Sequence, residues 1–311
     1  MPSGPLPSPR AHLAASLRLL DALAAGGEDR WPGLAVVRRW LARPRSLPAS
    51  APGGLKLDGY RTASGGSAWG MTCNDRWEGR PFWRVVEGLA KELDGDWAVE
   101  PLRRVRGELS GASVTLGIGF DAPGHGPRLK IYFQEPSWRQ GVASVAQVRE
   151  LVAGVPDSLP GDEAVGVVAA SLDGAGGLAW KLYLGGEGST LAERAATWLP
   201  ERADELAMLS RCLEQTGNSP FTYLTLRLGA GAPRVALNPI YEVTPQWERP
   251  TRREQVWGEV RALLELAGRD AAWSELEDLQ ALLSDVLLLP TATAIEAGGR
   301  SADVYVAAFP R

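Results

Sequence analysis

Five times along this chain, a stretch with helical spacing is followed by two short alternating runs joined by a Gly- or Pro-rich turn. The paired runs are LKLDGYRTASGGSAWGMTCN at 55–74, SVTLGIGFDAPGHGPRLKIYF at 113–133, AVGVVAASLDGAGGLAWKLYL at 164–184, FTYLTLRLGAGAPRVALNPIYEV at 221–243 and TATAIEAGGRSADVYVAAF at 291–309. Each reads as a β-hairpin. Helical spacing is predicted over 11–25, 33–42, 81–93, about 98–106, 142–153, 190–215, 252–267 and 273–288, with Pro200 placed to break the sixth of these. Tyr132, Tyr183, Tyr241 and Tyr305 fall near the ends of second runs, at spacings of 51, 58 and 64 residues, so the repeat is loose. Ten antiparallel strands strain an open twisted sheet, whereas closing it removes both edges. The expectation is an α+β fold: a ten-stranded antiparallel barrel of five hairpins ringed by helices. It occupies 11–311 as one domain, behind a loose Pro- and Ser-rich tail at 1–10.

The alternation says which side of each strand meets the helices. In the second runs one phase holds Leu129, Ile131 and Phe133; Trp180, Leu182 and Leu184; Val235 and Leu237; and Val304 and Val306. Amphipathic helices need an apolar surface to cover, so this phase packs outward. The other phase holds Arg128, Lys130 and Tyr132; Lys181 and Tyr183; Arg234 and Asn238; and Asp303 and Tyr305. It is left to line an interior that a ten-stranded barrel is wide enough to keep open. Thr115, Gly117 and Gly119 keep one wall of that interior thin. Cations and phenols converging in a sheltered cavity form an anion site. Lys and Arg supply charge, and Tyr supplies neutral donors that do not repel one another. Diphosphate is the anion that suits so many donors spread over several strands.

Other signals narrow the field. A net charge of −4 leaves no electrostatic footprint for nucleic acid. Cys73 and Cys212 make no disulfide framework, and the chain shows neither a signal peptide nor a run of apolar residues long enough to span a membrane. These features suit a cytoplasmic monomer without nucleic-acid or membrane partners. His12 and His125 stand apart from the cysteines, so neither a zinc site nor a His-activated nucleophile is indicated. GGEGST at 185–190 lacks the Lys of a phosphate loop and reads as a strand exit with Ser189 or Thr190 capping a helix. GIGFDA lies within a hairpin and opens no helix. NDRWE at 74–78 has no second acidic motif to complete a metal cluster. Trp83, Trp198, Trp257 and Trp273 lie on helices, where packing is the default; Trp69, in the first hairpin, is the better candidate to face a bound ring.

With the five-fold order across nearly the whole chain, R-x-K-x-Y at Arg128, Lys130 and Tyr132, and K-x-Y at Lys181 and Tyr183, the sequence resembles the ABBA-type aromatic prenyltransferases. These include the indole and phenol enzymes of specialised metabolism and the cyanobactin-like peptide enzymes. The later repeats depart from the pattern: Pro239 interrupts the run between Arg234 and Tyr241, and Asp303 stands two residues before Tyr305. The resemblance implies transfer of a dimethylallyl or geranyl group from its diphosphate to an indole or phenol, free or within a peptide. Arg128, Lys130, Tyr132, Lys181, Tyr183, Arg234, Tyr241 and Tyr305 would hold the diphosphate and shield the allylic cation. A carboxylate would take the ring proton; Asp58, in phase with Lys56 and Tyr60, is the first choice, with Glu296 and Asp303 as alternatives. No cofactor is required, and Mg²⁺ is optional. Two further readings stand beside this one: a non-catalytic barrel that binds an anionic or hydrophobic small molecule, and a hydrolase of phosphate esters.

Overall fold

The computed structural model describes residues 7–24, 55–61, 67–73, 75–77, 84, 86–88, 90–91, 96–109, 113–120, 127–134, 141–173, 177–215, 221–229, 233–268, 270–297 and 302–311. The predicted helix at 33–42, the residues at the hairpin tips and the side chains of His12, Cys73, Trp83, His125 and Cys212 lie outside the described set.

The strands are β1 (Leu55–Arg61), β2 (Ser67–Cys73), β3 (Asp75–Trp77), β4 (Ser113–Phe120), β5 (Pro127–Gln134), β6 (Ala143–Ser144), β7 (Ala164–Asp173), β8 (Leu178–Glu187), β9 (Phe221–Arg227), β10 (Arg234–Pro239), β11 (Val286–Glu296) and β12 (Ala302–Pro310). All pairings are antiparallel, in the order β2-β1-β12-β11-β10-β9-β8-β7-β5-β4-β3, with the two-residue β6 beside β7. The two ends of this order belong to one run of chain. Residues 67–73 pair with β1 and residues 75–77 pair with β4. Counting β2 and β3 together and setting β6 aside, the sheet curls back to its starting point as ten strands in five hairpins. That is the expected barrel topology.

Helices cover one face. Val256, Val260, Leu263 and Leu264 project from the helix Pro250–Leu266, and Leu276, Leu279 and Leu283 from Asp270–Leu282 and its exit. They join one core with Ile131, Phe133, Leu182, Leu184, Val235, Leu237, Val304 and Val306, the predicted outward phase. At about 1.5–3 kcal/mol for each fully buried aliphatic side chain, this two-layer contact is the main source of stability. Trp198 is buried in the same core, while Trp257 and Trp273 pack against it and meet edge to face at 5.7 Å. Within the described residues, no helix is long and apolar enough to cross a membrane.

Several boundaries differ from expectation for identifiable reasons. The first helix is Pro9–Ala24, beginning where Pro is tolerated at a helix start, two residues inside the predicted tail. The helix expected over 142–153 shortens to Val145–Leu151, behind a capping box in which Ser144 and Gln147 satisfy each other's backbone N–H groups. The 190–215 segment divides as predicted, into Gly188–Trp198 and Ala203–Gln215, around a 3₁₀ turn at Pro200–Arg202. Since the former helix begins at Gly188, Ser189 and Thr190 lie in its first turn instead of capping it. The helix expected over 273–288 ends at Leu282, and β11 begins at Val286. Val286–Leu289 shows no alternation because both its faces are covered: Val286 and Leu288 lie in the main core, Leu287 and Leu289 in a second cluster. A short unbroken apolar run of this kind does not distinguish strand from helix.

Candidate active site

The site follows from the register. Position by position, Thr115 pairs with Tyr132, Tyr132 with Ala169, Ala169 with Lys181, Lys181 with Arg227 and Arg227 with Arg234. One cross-strand row thus carries Tyr132, Lys181, Arg227 and Arg234 on the face away from the helices, with only Ala169 intervening; its continuation reaches Arg76 opposite Thr115. One step along, Lys130 lies between Gly117 and Ser171, and the backbone of Arg128 between Gly119 and Asp173. Among these small neighbours Lys130 is buried at 8% exposure. A buried lysine is rare and needs compensating partners.

The opposite step brings aromatic groups. Tyr183 pairs with Thr225, and Tyr223 lies opposite both Gly185 and Asn238. Tyr183 and Tyr223 meet edge to face at 5.7 Å, and Tyr223 and Phe221 at 5.1 Å. Glycine makes this stack possible. A Cβ at Gly185 would lie 2.5 Å from Phe221 Cζ, and one at Gly166 would lie 2.9 Å from Tyr223 Cε1. Burial pushes the Tyr223 phenol up to about 12, so it remains a neutral donor across the physiological range. Beside it, Thr225 Oγ1 donates to Asn238 Oδ1 at 2.7 Å.

Asp58 pairs with Tyr305 on one side and Gly70 on the other. That row continues the inner phase of β12, in which Asp303, Tyr305, Ala307 and Phe309 follow in sequence. The Asp58 backbone is therefore placed on the inner face; its side chain lies outside the described set. Beyond Tyr305 the inner face becomes apolar. Leu287, Leu289, Ala307 and Phe309 form a cluster separate from the main core, completed by Trp247 from the helix Val243–Glu248, whose ring lies 5.6 Å from Phe309.

Three expectations require correction. Tyr241 does not reach the inner face. β10 ends at Pro239, and Tyr241 joins the sheet–helix core at 4% exposure, within 3.4 Å of Thr293 Oγ1. Thr293 pairs with Val304, on the outward phase. Trp69 pairs with Gly59, which pairs with Val304, so its register position belongs to the outward row rather than the Asp58 row. Glu296, an alternative proton acceptor, has both oxygens on Arg234: Nε donates to Oε1, and Nη2 donates to Oε2 at 2.6 Å.

Arg227 and Tyr223, in the first run of the fourth hairpin, were not among the site residues expected from sequence. The signal was present: FTYLTLR, counted by twos, places Phe221, Tyr223, Thr225 and Arg227 on one face.

Neither a protein-family model nor a characterised protein matches the chain by sequence. Solved structures do match in shape, along nearly the whole length. A 5-dimethylallyltryptophan synthase from Streptomyces coelicolor superposes with a TM-score of 0.59 at 15% identity, covering 95% of this chain and 96% of that one. PriB in a binary complex with product diphosphate gives 0.64 at 18% identity, covering 96% and 95%. AnaPT from Neosartorya fischeri gives 0.61 at 11% identity, covering 98% and 96%. The fold is that of the ABBA-type aromatic prenyltransferase barrel, as the sequence resemblance implied. This chain's own residues show what the barrel displays on its inner face.

Proposed function

We propose that this barrel transfers an allylic group, dimethylallyl or geranyl, from its diphosphate to an electron-rich aromatic ring, an indole or a phenol, free or carried on a peptide. The observation that carries the reading is the inner-face row of Tyr132, Lys181 and Arg227 beside the buried Lys130, with the Tyr183–Tyr223 stack one step away. It supports prenyl transfer because the two halves of that reaction need these two surfaces side by side.

The allylic C–O bond breaks heterolytically and the diphosphate leaves with the electron pair. Charge builds on the leaving oxygens, so Lys130, Lys181, Arg227 and, by register, Arg128 stabilise the transition state more than the ground state. Arg234 adds further donors at the end of the row. The allylic cation left behind lies against the faces of Tyr132, Tyr183, Tyr223 and Tyr305, which stabilise positive charge and exclude water. The aromatic acceptor attacks through carbon, and the resulting arenium ion returns to aromaticity by losing a proton. Asp58, opposite Tyr305, takes that proton. The proposed activity uses no cofactor, with Mg²⁺ an optional companion of the diphosphate, and suits a cytoplasmic monomer of one domain.

The test is mass spectrometry of the purified chain incubated with dimethylallyl and geranyl diphosphates and a panel of acceptors: tryptophan, tyrosine, dihydroxynaphthalene and Trp- or Tyr-containing peptides. A gain of one prenyl unit on any acceptor is the expected result and selects donor and acceptor together. Diphosphate binding without transfer to any acceptor would favour a non-catalytic binding barrel. Hydrolysis without an acceptor would favour a phosphate-ester hydrolase.

A further inference from the structure

The row Lys181–Arg227–Arg234 sets three cations directly opposite one another on β8, β9 and β10. Like charges so placed destabilise a sheet. Glu296 stands one step off the end of this row. It pairs with Ala236, and Ala236 follows Arg234 by two residues on the same face of β10. The methyl of Ala236 leaves the diagonal open, so the Arg234 guanidinium reaches across to grip both carboxylate oxygens. The acid is the fixed partner: its side chain is 8% exposed, against 51% for Arg234. Glu296 reaches this face because β11 changes phase at an irregularity between Pro290 and Ala292. Without that shift, Leu287 and Glu296 would lie on opposite faces.

Resting on the diphosphate reading of the basic row, we propose that Glu296 is a built-in counter-charge of that row. It grips Arg234 through both carboxylate oxygens, with Asp303 a second acid acting on the same guanidinium, so that Arg234 offers hydrogen-bond donors with its charge offset and the cleaved pyrophosphate can leave. Two of the five guanidinium N–H donors go to Glu296; the others remain for an anion. A buried carboxylate stripped of its cation is strongly unfavourable, so Arg234 stays with Glu296 when the anion enters. Affinity is then set by the other cations, while Arg234 adds direction.

Binding of inorganic pyrophosphate to the full-length protein, measured by calorimetry, tests this. Glu296→Gln keeps one acceptor for Arg234 and removes the charge, so order is largely kept while the row gains net positive charge. It should bind pyrophosphate about fivefold tighter or more. Arg234→Met leaves the Glu296 carboxylate facing the row without its cation and should weaken binding. The double variant Arg234→Met/Glu296→Gln deletes a neutral pair and should return close to the wild-type affinity, a pattern that a merely structural role for Glu296 would not produce. Pyrophosphate inhibition of prenyl transfer should strengthen in Glu296→Gln in parallel. Unchanged or weaker binding by a folded Glu296→Gln overturns the inference while leaving the diphosphate site intact. Should that variant not fold, a double variant that binds pyrophosphate no better than Arg234→Met overturns it equally. Absence of pyrophosphate binding to the wild-type protein overturns the diphosphate site itself, and the inference with it.

Discussion

Tyr183 and Tyr241 occupy matching places in the third and fourth hairpins, yet they face opposite sides of the sheet. Tyr183 extends an unbroken β8, in phase with Lys181, and stacks on Tyr223 at the inner face. Tyr241 follows Pro239, where β10 ends; an isolated bridge from Ile240 to Ala292 is followed by a turn of the phenol into the sheet–helix core. A two-residue period identifies a face only while the strand is continuous. One proline resets the count, and the same residue type passes from the inner wall to the structural core.

The strongest way to break this comparison is to truncate each ring. Tyr241→Ala should lower stability by about 3–5 kcal/mol, the usual cost of emptying a buried aromatic site, read as a fall in the chemical-denaturation midpoint. Tyr183→Ala, on the half-buried inner wall, should cost much less stability and act on turnover instead. Similar stability losses in the two would sink the assignment of opposite faces. Next in size, Lys130→Ala and Lys181→Ala should each lose a charge-assisted contact worth about 1.5–3 kcal/mol, seen as a fall of roughly ten- to a hundredfold in kcat/KM for the allylic diphosphate, with folding retained. Unchanged turnover in both would remove these lysines from the site.

Gly185→Ala sharpens the inner side alone. Its methyl would meet the Phe221 ring at 2.5 Å, so the stack must shift, at about 1–3 kcal/mol of overpacking. The measurable outcome is a lower melting temperature that Phe221→Leu partly restores. The smallest effect concerns alkaline pH. The Tyr223 phenol is raised by burial from an ordinary value near 10 to about 12. Folding therefore favours its protonated form. That preference costs nothing below pH 10 and becomes a destabilisation as the unfolded phenol ionises, between pH 10 and 12. Wild-type melting should fall more steeply across that window than that of Tyr223→Phe; parallel curves would show that Tyr223 ionises as freely when folded.

The sequence reading was most accurate where physics is local. Lys130, Tyr132, Lys181 and Tyr183 were placed correctly because strands alternate side chains with a period of two and helices demand an apolar partner surface. It failed where alternation was absent or interrupted. Val286–Leu289 looked helical because the strand is apolar on both faces, and Tyr241 was assigned inward across Pro239. Trp69 was the better ring-facing candidate among the tryptophans, but register gives the inner face to its neighbours Ala68 and Gly70, which pair with Tyr60 and Asp58.

By itself, then, the sequence determined that five hairpins alternate with helices, that the continuous strands carry an apolar face and a basic, phenolic one, and that closure is the way to remove the two edges of a ten-stranded sheet. Only the tertiary structure decided which charges stand side by side. The Lys181–Arg227–Arg234 row depends on pairing among β8, β9 and β10. The grip of Glu296 on Arg234 spans 62 positions of sequence and depends on a change of phase inside β11. Side-chain period is a property of each residue's own backbone, whereas register between strands comes from packing the whole barrel against its helices.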